Sequence, residues 1–476
     1  MASYLLGDSV LQFSTIIGTY LFAMGVGSYA AKWVERGLLM IFVQVQILVG
    51  LIGGTSATLL FFVFSYGTAF RPVLYGLVFV IGLLVGLEIP LLLRILKDHL
   101  SFRDLVSQVL ALDYVGALAA SVFFPLFLVP HLGLMRTSFF FGMINVTVAL
   151  IFCLKFQKEN RWIGLIVESV IVLLLLLAGF VGTDFLTQKD EENLYPAPVV
   201  MSEQTPYQKL AITKDRLETR LYLNGNLQFS TYDEYRYHEA LVVPALMAHP
   251  NPRRVLVLGG GDGLAVKLLL KDERVKEVVL VELDPKMIDI FRDHDEIADL
   301  NDYSLRSDKV KVVVADAFVW LEQSNETFDL ALVDFPDPSN YSVGKLYTDH
   351  FYRRLSSHLN NGGLFVVQCS SPFAARRSYW SVVSTIESAG LKTLPYHAYI
   401  PSFGEWGFTL AGRSTPKISG ELPFDTRYLN VEELARMQNF PADMSRVPTE
   451  VNRLFDQILV RYFQEDWSRY RGLDGN

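Results

Sequence analysis

The sequence predicts a multi-span α-helical membrane domain, followed by a small antiparallel β module and an α/β Rossmann-like domain. Two observations carry this prediction. Hydrophobic residues make up 51% of the 476 residues, yet the long uncharged apolar runs all lie before residue 186. Beyond that point short apolar segments alternate with helical stretches, which is typical of a parallel sheet with helices between its strands.

Residues 1–186 are predicted to form about six transmembrane helices. Each apolar run is near or above the roughly 18–20 residues that cross a bilayer as a helix, and a cleaved signal peptide would account for only one of them. The second run is long enough to contain a re-entrant turn at Gly53-Gly54-Thr55-Ser56. The runs lie at about 10–31, 37–70, 72–93, 105–130, 137–154 and 162–183.

Three carboxylates, Glu88, Asp113 and Glu168, lie within these runs. Carboxylates inside a membrane usually face the helix bundle or a water-filled cavity. One interpretation is hydrogen-bonded packing, with Gly116 and Ala120 allowing close helix contact beside Asp113. A polar pocket for a cationic or lipid-like substrate, or a path for protons or ions, stays open.

Residues 187–230 are predicted to be a linker and a small β module. Strand patterns occupy 199–201, 208–213 and 218–223, and Asn224-Gly225 is a strong signal for a tight hairpin turn.

Residues 231–420 carry the βα pattern, with strands expected at 254–258, 277–282, 310–314, 328–333 and 363–369. Residues 421–476 are predicted to be a helical extension that packs on its own domain or makes a dimer or membrane contact. Its apolar stripe at helical spacing consists of Val451, Leu454, Phe455, Ile458, Leu459, Tyr462 and Phe463.

The first of these strands ends in Gly259-Gly260-Gly261-Asp262-Gly263, a turn that lets backbone approach a ligand at the mouth of a parallel sheet. A dinucleotide site would present helix N-terminal amides to a pyrophosphate, which a carboxylate in the turn would repel. Asp262 therefore favours a nucleoside ligand that carries positive charge, such as a sulfonium or an ammonium.

Acidic residues follow the next two strands. Glu282 lies 19 residues after Gly263, where an acid can accept hydrogen bonds from both hydroxyls of a ribose, and Asp316 is placed to reach an adenine edge. An acid after a strand is also a common helix N-cap, and Asp284 before Pro285 fits that role best.

The fourth strand ends in Asp334-Phe335-Pro336-Asp337-Pro338. Two carboxylates thus lie on a rigid turn at the edge where ligands of open α/β sheets bind, which favours a catalytic role. The alternative is a proline-stiffened Asx turn without a ligand.

Together these motifs resemble the aminopropyltransferases of the spermidine synthase family, over about residues 200–412 and in the family's order and spacing. Within the family the chain looks like the membrane-bound subgroup, in which a multi-span domain precedes a catalytic domain of methyltransferase-type fold. The matching segments are Tyr207-Gln208, Leu223-Asn224-Gly225-Asn226-Leu227-Gln228, Asp233-Glu234, Tyr237-His238-Glu239, Gly259 to Gly263, Val281-Glu282-Leu283-Asp284, Asp316-Ala317, Asp334-x-x-Asp337-Pro338 and, for the subgroup, Pro401 to Phe408.

The resemblance implies transfer of an aminopropyl group from decarboxylated S-adenosylmethionine, a co-substrate, to an amine such as putrescine, with release of methylthioadenosine. An amine attacks only when neutral, so the reaction needs a carboxylate that takes its proton. By resemblance Asp334 is this general base with Tyr237 beside it, and Asp337, Tyr237 and Glu405 bind the acceptor. The donor-binding residues would be Gln208, Gln228, His238, Gly259, Gly261, Asp262, Glu282 and Asp316, and no metal or prosthetic group is expected.

Departures from the soluble members lie on the acceptor side. Phe335-Pro336 replaces a Ser-Ser pair, and Pro401-Ser402-Phe403 replaces a Pro-Thr-Tyr segment and lacks its phenol. Putrescine, a longer polyamine and an amine delivered from the membrane therefore all stay open as acceptors. Two other functions also stay open: a methyltransferase that uses intact S-adenosylmethionine, and a non-catalytic membrane module that senses polyamines or nucleosides.

Composition limits the partners and the compartment. The net charge of −8 without a basic stripe excludes nucleic acid, and the two cysteines, Cys153 and Cys369, give no disulfide framework. The expected partners are the lipid bilayer and a second copy in a homodimer.

Two arguments disagree about the side of the plasma (inner) membrane on which the catalytic part lies. With six spans, the positive-inside rule places that part outside. A nucleoside donor made by metabolism is a cytosolic compound, so the cytoplasmic side is the one we favour. The basic residues that set the rule's answer are Lys32, Arg36, Arg94, Lys97, Arg103, Lys155, Lys158 and Arg161, against Arg71 and Arg136 in the other loops.

Overall fold

The structure, a computed structural model, describes residues 10–65, 70–97, 101–156, 161–183 and 195–473. The chain divides into two compact units, Met1–Val199 and Val200–Asn476. The β module, the α/β domain and the C-terminal extension all belong to the second unit. Most of the linker predicted from residue 187 lies outside the described residues.

The described part of the first unit contains six long helices. Five of them, α2 to α6, are long and apolar enough to cross a membrane. Because α1 is not among these five, a count of six spans stays a prediction. The helices are α1 (Val10–Ala30), α2 (Leu38–Ser65), α3 (Phe70–Leu96), α4 (Phe102–Phe123), α5 (Val129–Phe156) and α6 (Arg161–Val181).

The re-entrant turn considered for the second run is wrong, because α2 continues unbroken through it. Gly50 and Gly54 of α2 instead allow close contact with α5. A Cβ on Gly142 of α5 would lie 2.5 Å from the carbonyl oxygen of Gly50 and 2.8 Å from Cα of Gly54. Such contacts between small residues are typical of packed membrane helices.

Two of the three membrane carboxylates have different surroundings in this unit. Gln44 Nε2 donates to Glu168 Oε1 at 2.7 Å, which supports the interpretation of hydrogen-bonded packing for that residue. Asp113, in contrast, lies on the exposed surface of α4.

The second unit begins with a four-stranded sheet in the order β1-β2-β3-β4. Asn224 and Gly225 join β3 to β4 with φ angles of +51° and +79°, as a two-residue hairpin turn of type I′ requires. The predicted hairpin is therefore confirmed. The strands are β1 (Val199–Gln204), β2 (Lys209–Lys214), β3 (Thr219–Leu223) and β4 (Asn226–Ser230).

A seven-stranded sheet follows, in the order β10-β11-β9-β8-β5-β6-β7. Its five predicted strands are present and parallel, whereas the antiparallel hairpin of β10 and β11 was not predicted. The strands are β5 (Arg254–Gly259), β6 (Glu277–Glu282), β7 (Val310–Val314), β8 (Phe328–Asp334), β9 (Leu359–Gln368), β10 (Lys392–Ile400) and β11 (Gly404–Gly412).

Alternating side chains of this sheet build one hydrophobic core on each face. Val255 and Val257 of β5 enter one core, and Leu256 and Leu258 enter the other. The helices around the sheet are α7 (Glu234–Ala248), α8 (Leu264–Leu269), α9 (Pro285–Asp293), α10 (Asp295–Ala298), α11 (Ala317–Gln323), α12 (Tyr341–Gly344), α13 (Asp349–Ser357), α14 (Arg376–Ser388), α15 (Val431–Arg436) and α16 (Ile458–Leu473).

The predicted helical stripe of the C-terminal extension is correct only in its second half. Helix α16 begins at Ile458, and its Leu459 is fully buried against the sheet's core. Val451 and Leu454 precede the helix, and Phe455 is 84% exposed. The segment before α16 is irregular: residues 454–456 form a turn, and the backbone of Asn452 is hydrogen-bonded to other parts of the unit, as described below.

Candidate active site

The carboxyl ends of three neighbouring parallel strands bring the predicted residues to one edge of the sheet. Gly259 of β5 is in register with Asp334 of β8, and Leu258 is in register with Val281 of β6. The glycine-rich turn, Glu282 and Asp334 therefore lie side by side, as the sequence predicted from the parallel arrangement.

The glycines bring main chain against both acids. Gly259 and Gly263 adopt φ angles of +79° and +76°, in the left-handed region that favours glycine. A Cβ on Gly259 would collide with the carbonyl oxygen of Asp334, and a Cβ on Gly261 would lie 2.8 Å from Oε2 of Glu282. A side chain at either position would therefore force the edge apart.

Asp262 is a buried acid in the middle of this turn. Its Oδ1 accepts a hydrogen bond from the backbone N–H of Leu264 at 2.9 Å, at the start of α8. Burial raises its pKa to about 6, although the nearby His238 acts in the opposite direction. A cationic group placed beside Asp262 would stabilise its ionised form.

Glu282 and Asp284 connect the edge of the sheet to the β module. Glu282 Oε1 accepts from the backbone N–H of Asp284 at 3.0 Å, and burial raises the pKa of Glu282 to about 7. Asp284 caps α9, as the N-cap interpretation predicted, and its Oδ2 also accepts from Thr205 Oγ1 at 2.7 Å and from Gln208 Nε2 at 3.1 Å. Gln208 thus reaches this edge, fixed by Thr205, which the sequence did not single out.

Tyr237 and Asp334 form the shortest contact of the cluster, with Tyr237 Oη donating to Asp334 Oδ1 at 2.5 Å. The Tyr237 ring is held against the rings of Phe403 and Phe408. Burial and the adjacent Asp334 carboxylate raise the pKa of Tyr237 well above its usual value. Burial also raises the pKa of Asp334, opposed by His238 and by the Tyr237 hydrogen bond.

His238 places a buried cation among these acids. Its Nδ1 lies 2.8 Å from both the carbonyl oxygen and the carboxylate Oε2 of Glu234. Burial opposes charging of the ring, but Glu234, followed by Asp262 and Asp334, raises the pKa of His238 to about 9. The imidazolium form therefore balances part of the negative charge at neutral pH.

Asp337 has a carboxylate oxygen without a hydrogen-bond partner among the described residues. The atom is Oδ1, and it is buried, as are the similarly unpaired Ser370 Oγ and Trp406 Nε1. Burial raises the pKa of Asp337 to about 7, against the opposing effects of Ser370 and Gln368. Unpaired buried polar atoms are costly, so Asp337 Oδ1 suits a polar ligand that would pair with it.

The turn between the two aspartates is supported by residues that sequence reasoning missed. Gln368 Nε2 donates to the carbonyl oxygen of Phe335 at 2.5 Å and to Tyr347 Oη at 2.7 Å. Tyr347 Oη in turn donates to the carbonyl oxygens of Phe335 at 3.3 Å and Pro336 at 3.1 Å. The position of Gln368 at the end of a predicted strand was a signal for it, whereas nothing local identified Tyr347.

Asp316 is the helix N-cap that one of the two sequence interpretations predicted, and its contact with an adenine edge stays a prediction. Its Oδ1 caps α11 by accepting from the backbone N–H of Phe318 at 2.9 Å. Its Oδ2 accepts from Lys345 Nζ at 2.6 Å, in an ion pair that no pattern indicated.

Among the residues that the structure describes, no hydrogen bond joins Gln228 or Glu405 to this cluster. Gln228 Nε2 bonds to backbone carbonyls of its own hairpin. Glu405 Oε2 pairs with His397 Nδ1 at 2.8 Å, because alternation along β11 sends Glu405 to the face opposite Trp406. The structure thus gives the Glu405 carboxylate a contact with His397, and its role as an acceptor-binding residue stays a prediction.

Metal binding is not indicated by the part of the chain that the structure describes, in which no group of three or more potential ligands converges. The acids at the edge suit a cationic organic ligand, since Asp262 is buried, Glu282 and Asp337 are partly buried, and burial raises the pKa of all three.

Known proteins resemble both units. A sequence model of the family described as "Spermine/spermidine synthase domain" matches residues 234–419. A polyamine aminopropyltransferase from Leptospira interrogans is 52% identical over 471 residues, which cover 98% of this chain and 94% of the relative. Polyamine aminopropyltransferase 2 from Ralstonia nicotianae is 50% identical over 477 residues, with coverage of 98% and 94%.

Among solved structures, a spermidine synthase in complex with the transition-state analogue AdoDATO aligns with a TM-score of 0.46 and 24% identity, over 51% of this chain and 85% of that chain.

Proposed function

The chain belongs to the polyamine aminopropyltransferase (spermidine synthase) family, and we propose that the cluster around Tyr237 and Asp334 is its active site. Enzymes of this family transfer an aminopropyl group from decarboxylated S-adenosylmethionine to an amine. The methyltransferase and the non-catalytic sensor are thereby set aside. One observation carries the assignment: the 2.5 Å contact of Tyr237 Oη with Asp334 Oδ1.

In the proposed reaction the acceptor amine attacks the carbon beside the sulfonium of the donor. The new C–N bond forms as the C–S bond breaks, and the electron pair of the C–S bond remains on sulfur, which becomes the neutral thioether of methylthioadenosine. The proton lost by the nitrogen passes to Asp334. Tyr237 packs against the Phe408 ring and donates a hydrogen bond to Asp334, and it thereby keeps that carboxylate oriented toward the attacking nitrogen.

The donor would lie along the glycine-rich turn. Asp262 would pair with its aminopropyl ammonium and Glu282 with the ribose hydroxyls, while Gln208 is held nearby by Asp284. Asp316 would meet the adenine edge, with Lys345 as its present partner. The raised pKa values of Asp262 and Glu282 support their part in this assignment, because burial favours their protonated forms and a cationic donor would stabilise the ionised ones.

The acceptor would occupy the side of Asp337. Its unpaired Oδ1 is suited to the far ammonium of a polyamine, and the Ser370 hydroxyl lies close enough to lower the pKa of the Asp337 carboxyl. Glu405 has no part in this proposal, because its carboxylate is paired with His397.

We also propose that α2 to α6 anchor the enzyme in the plasma (inner) membrane, with the catalytic unit in the cytoplasm where the donor is made. Basic residues at the end of α5 and the start of α6, Lys155 and Arg161 among them, favour the opposite side by the positive-inside rule. C-terminal fusions to green fluorescent protein and to alkaline phosphatase would decide: we expect fluorescence and no phosphatase activity, and the reverse result would refute the cytoplasmic placement. A homodimer stays a prediction.

The activity is tested with the full chain in detergent micelles, decarboxylated S-adenosylmethionine and a panel of primary amines. We expect mass spectrometry to detect methylthioadenosine together with one product heavier than its amine by an aminopropyl group. A folded protein that produces neither would contradict the proposed active site.

A further inference from the structure

A single buried asparagine in the C-terminal extension joins three parts of the second unit. Asn452 lies between α15 and α16, beyond residues 234–419 that match the family, and it is fully buried. Its side-chain N–H groups, its side-chain oxygen and both of its backbone polar groups are all hydrogen-bonded. The five bonds run from Asn452 Nδ2 to the carbonyls of Gly344 (3.1 Å) and Tyr347 (3.0 Å), from Asp349 N to Asn452 O (3.1 Å), from Asn452 N to Thr385 Oγ1 (2.9 Å), and from Leu459 N to Asn452 Oδ1 (3.2 Å).

Three of these bonds fix the loop that carries Tyr347. Asn452 Nδ2 donates to two main-chain carbonyls of this loop. The backbone oxygen of Asn452 accepts from the backbone N–H of the first residue of α13. The loop also has no spare room at Gly344, where a Cβ would lie 2.6 Å from Gln457 Oε1 and from Val460 Cγ2. The extension therefore determines where this loop lies.

This loop also supports the turn that carries Asp334 and Asp337. Tyr347 is fully buried, and its hydroxyl donates to the carbonyls of Phe335 and Pro336, the two residues between Asp334 and Asp337. One side chain thus separates Asn452 from the turn that spaces the proposed base and the proposed acceptor site.

We propose that Asn452 is a positioning residue for aminopropyl transfer, which acts through Tyr347 to set the relative placement of Asp334 and Asp337. This inference rests on the proposed function. The contacts predict an effect on the acceptor side, because Asn452 and Tyr347 hold the acid turn and not the glycine-rich turn. A residue that only stabilised the fold would have no such bias.

The experiment compares the full chain with Asn452→Ala, Asn452→Asp, Tyr347→Phe and the double variant Asn452→Ala/Tyr347→Phe. Asn452→Asp retains the shape and the side-chain oxygen but replaces the NH2 group, and with it both N–H donors to the loop, by a second oxygen. The matched control is Thr449→Val, which removes the 3.1 Å contact of the same extension with Ser384 of α14 and leaves the loop untouched. Acceptor kcat/KM, donor Kd by calorimetry and Tm are measured for each protein.

For Asn452→Ala and Tyr347→Phe we expect acceptor kcat/KM to fall about tenfold or more while donor Kd stays within about twofold. The double variant should be no more than about threefold worse than the poorer single variant, since coupled residues are not additive. Thr449→Val should keep acceptor kcat/KM within about twofold whatever its Tm. If Asn452→Ala does not fold, Asn452→Asp takes its place in the same cycle.

Additive losses in the double variant, equal losses in donor and acceptor binding, or a loss in Thr449→Val as large as that in Asn452→Ala would each overturn the positioning role. A wild-type chain without turnover would instead refute the proposed function, and this inference with it.

Discussion

Replacing Asp334 by asparagine should separate proton acceptance from every other role of this residue. The asparagine has the same shape, and its side-chain oxygen can still accept the Tyr237 hydroxyl that donates to Asp334 Oδ1 at 2.5 Å. The close packing of Gly259 against the Asp334 backbone is unaffected. What is lost is the ability to take a proton from the attacking amine.

General-base catalysis contributes about 10²–10⁴-fold, so the barrier should rise by about 2.7–5.4 kcal/mol at about 1.36 kcal/mol per tenfold. We expect turnover to fall by that factor. Donor binding should change by about twofold or less, since the removed charge is on the acceptor side and His238 keeps Glu234 as its hydrogen-bond partner.

The assay measures methylthioadenosine release under single-turnover conditions, together with donor Kd by calorimetry. Asp329→Asn is the matched control: this acid lies in the same strand β8, but its carboxylate binds the backbone N–H groups of Arg253 and Arg254 away from the site. Near-normal turnover in Asp334→Asn would show that another group accepts the proton. Equal losses in Asp329→Asn would show that the effect comes from a weakened strand.

Three further predictions concern the donor, the acceptor and the membrane helices. Decarboxylated S-adenosylmethionine should bind at least about tenfold (about 1.4 kcal/mol) more tightly than the intact compound, because Asp262 repels the extra carboxylate. Calorimetry should show that Asp262→Asn removes this difference in affinity. Equal affinities of the wild-type protein for the two compounds would contradict the Asp262 pairing. Acceptor kcat/KM should rise with pH through about 7, because burial raises the pKa of Asp337 to about 7 and only its ionised form attracts an ammonium. An Asp337→Asn profile that keeps this limb would exclude Asp337 as its source. A protein that begins at Tyr195 should keep turnover of soluble amines within about tenfold (about 1.36 kcal/mol) if the helices only anchor, and a folded but inactive truncation would make the first unit part of the active enzyme.

The sequence alone predicted the fold class and most of the residues at the sheet edge that we propose as the active site. The glycine-rich turn, Glu282 and the two aspartates at the end of β8 could be located because the carboxyl ends of parallel strands meet at one edge. The strands themselves are recognisable from their local apolar patterns. The Asn224-Gly225 hairpin was equally readable, since its φ angles are set by the residues of the turn itself.

The orientation of individual side chains could not be read in this way. The motif at residues 401–408 suggested Glu405 as an acceptor-binding residue, yet in the structure its carboxylate pairs with His397. The stripe before α16 had helical spacing, but Asn452 draws that segment into hydrogen bonds elsewhere.

Only the tertiary structure showed what fixes the acid turn. Asn452 and Tyr347 are separated by 105 residues, and Gln368 and Phe335 by 33. Periodicity and turn chemistry report on neighbours along the chain, and they determined which residues are at the sheet edge. The hydrogen bonds that hold those residues join segments with no local relation, and such pairs arise only when packing brings their buried polar groups together and requires each to find a partner.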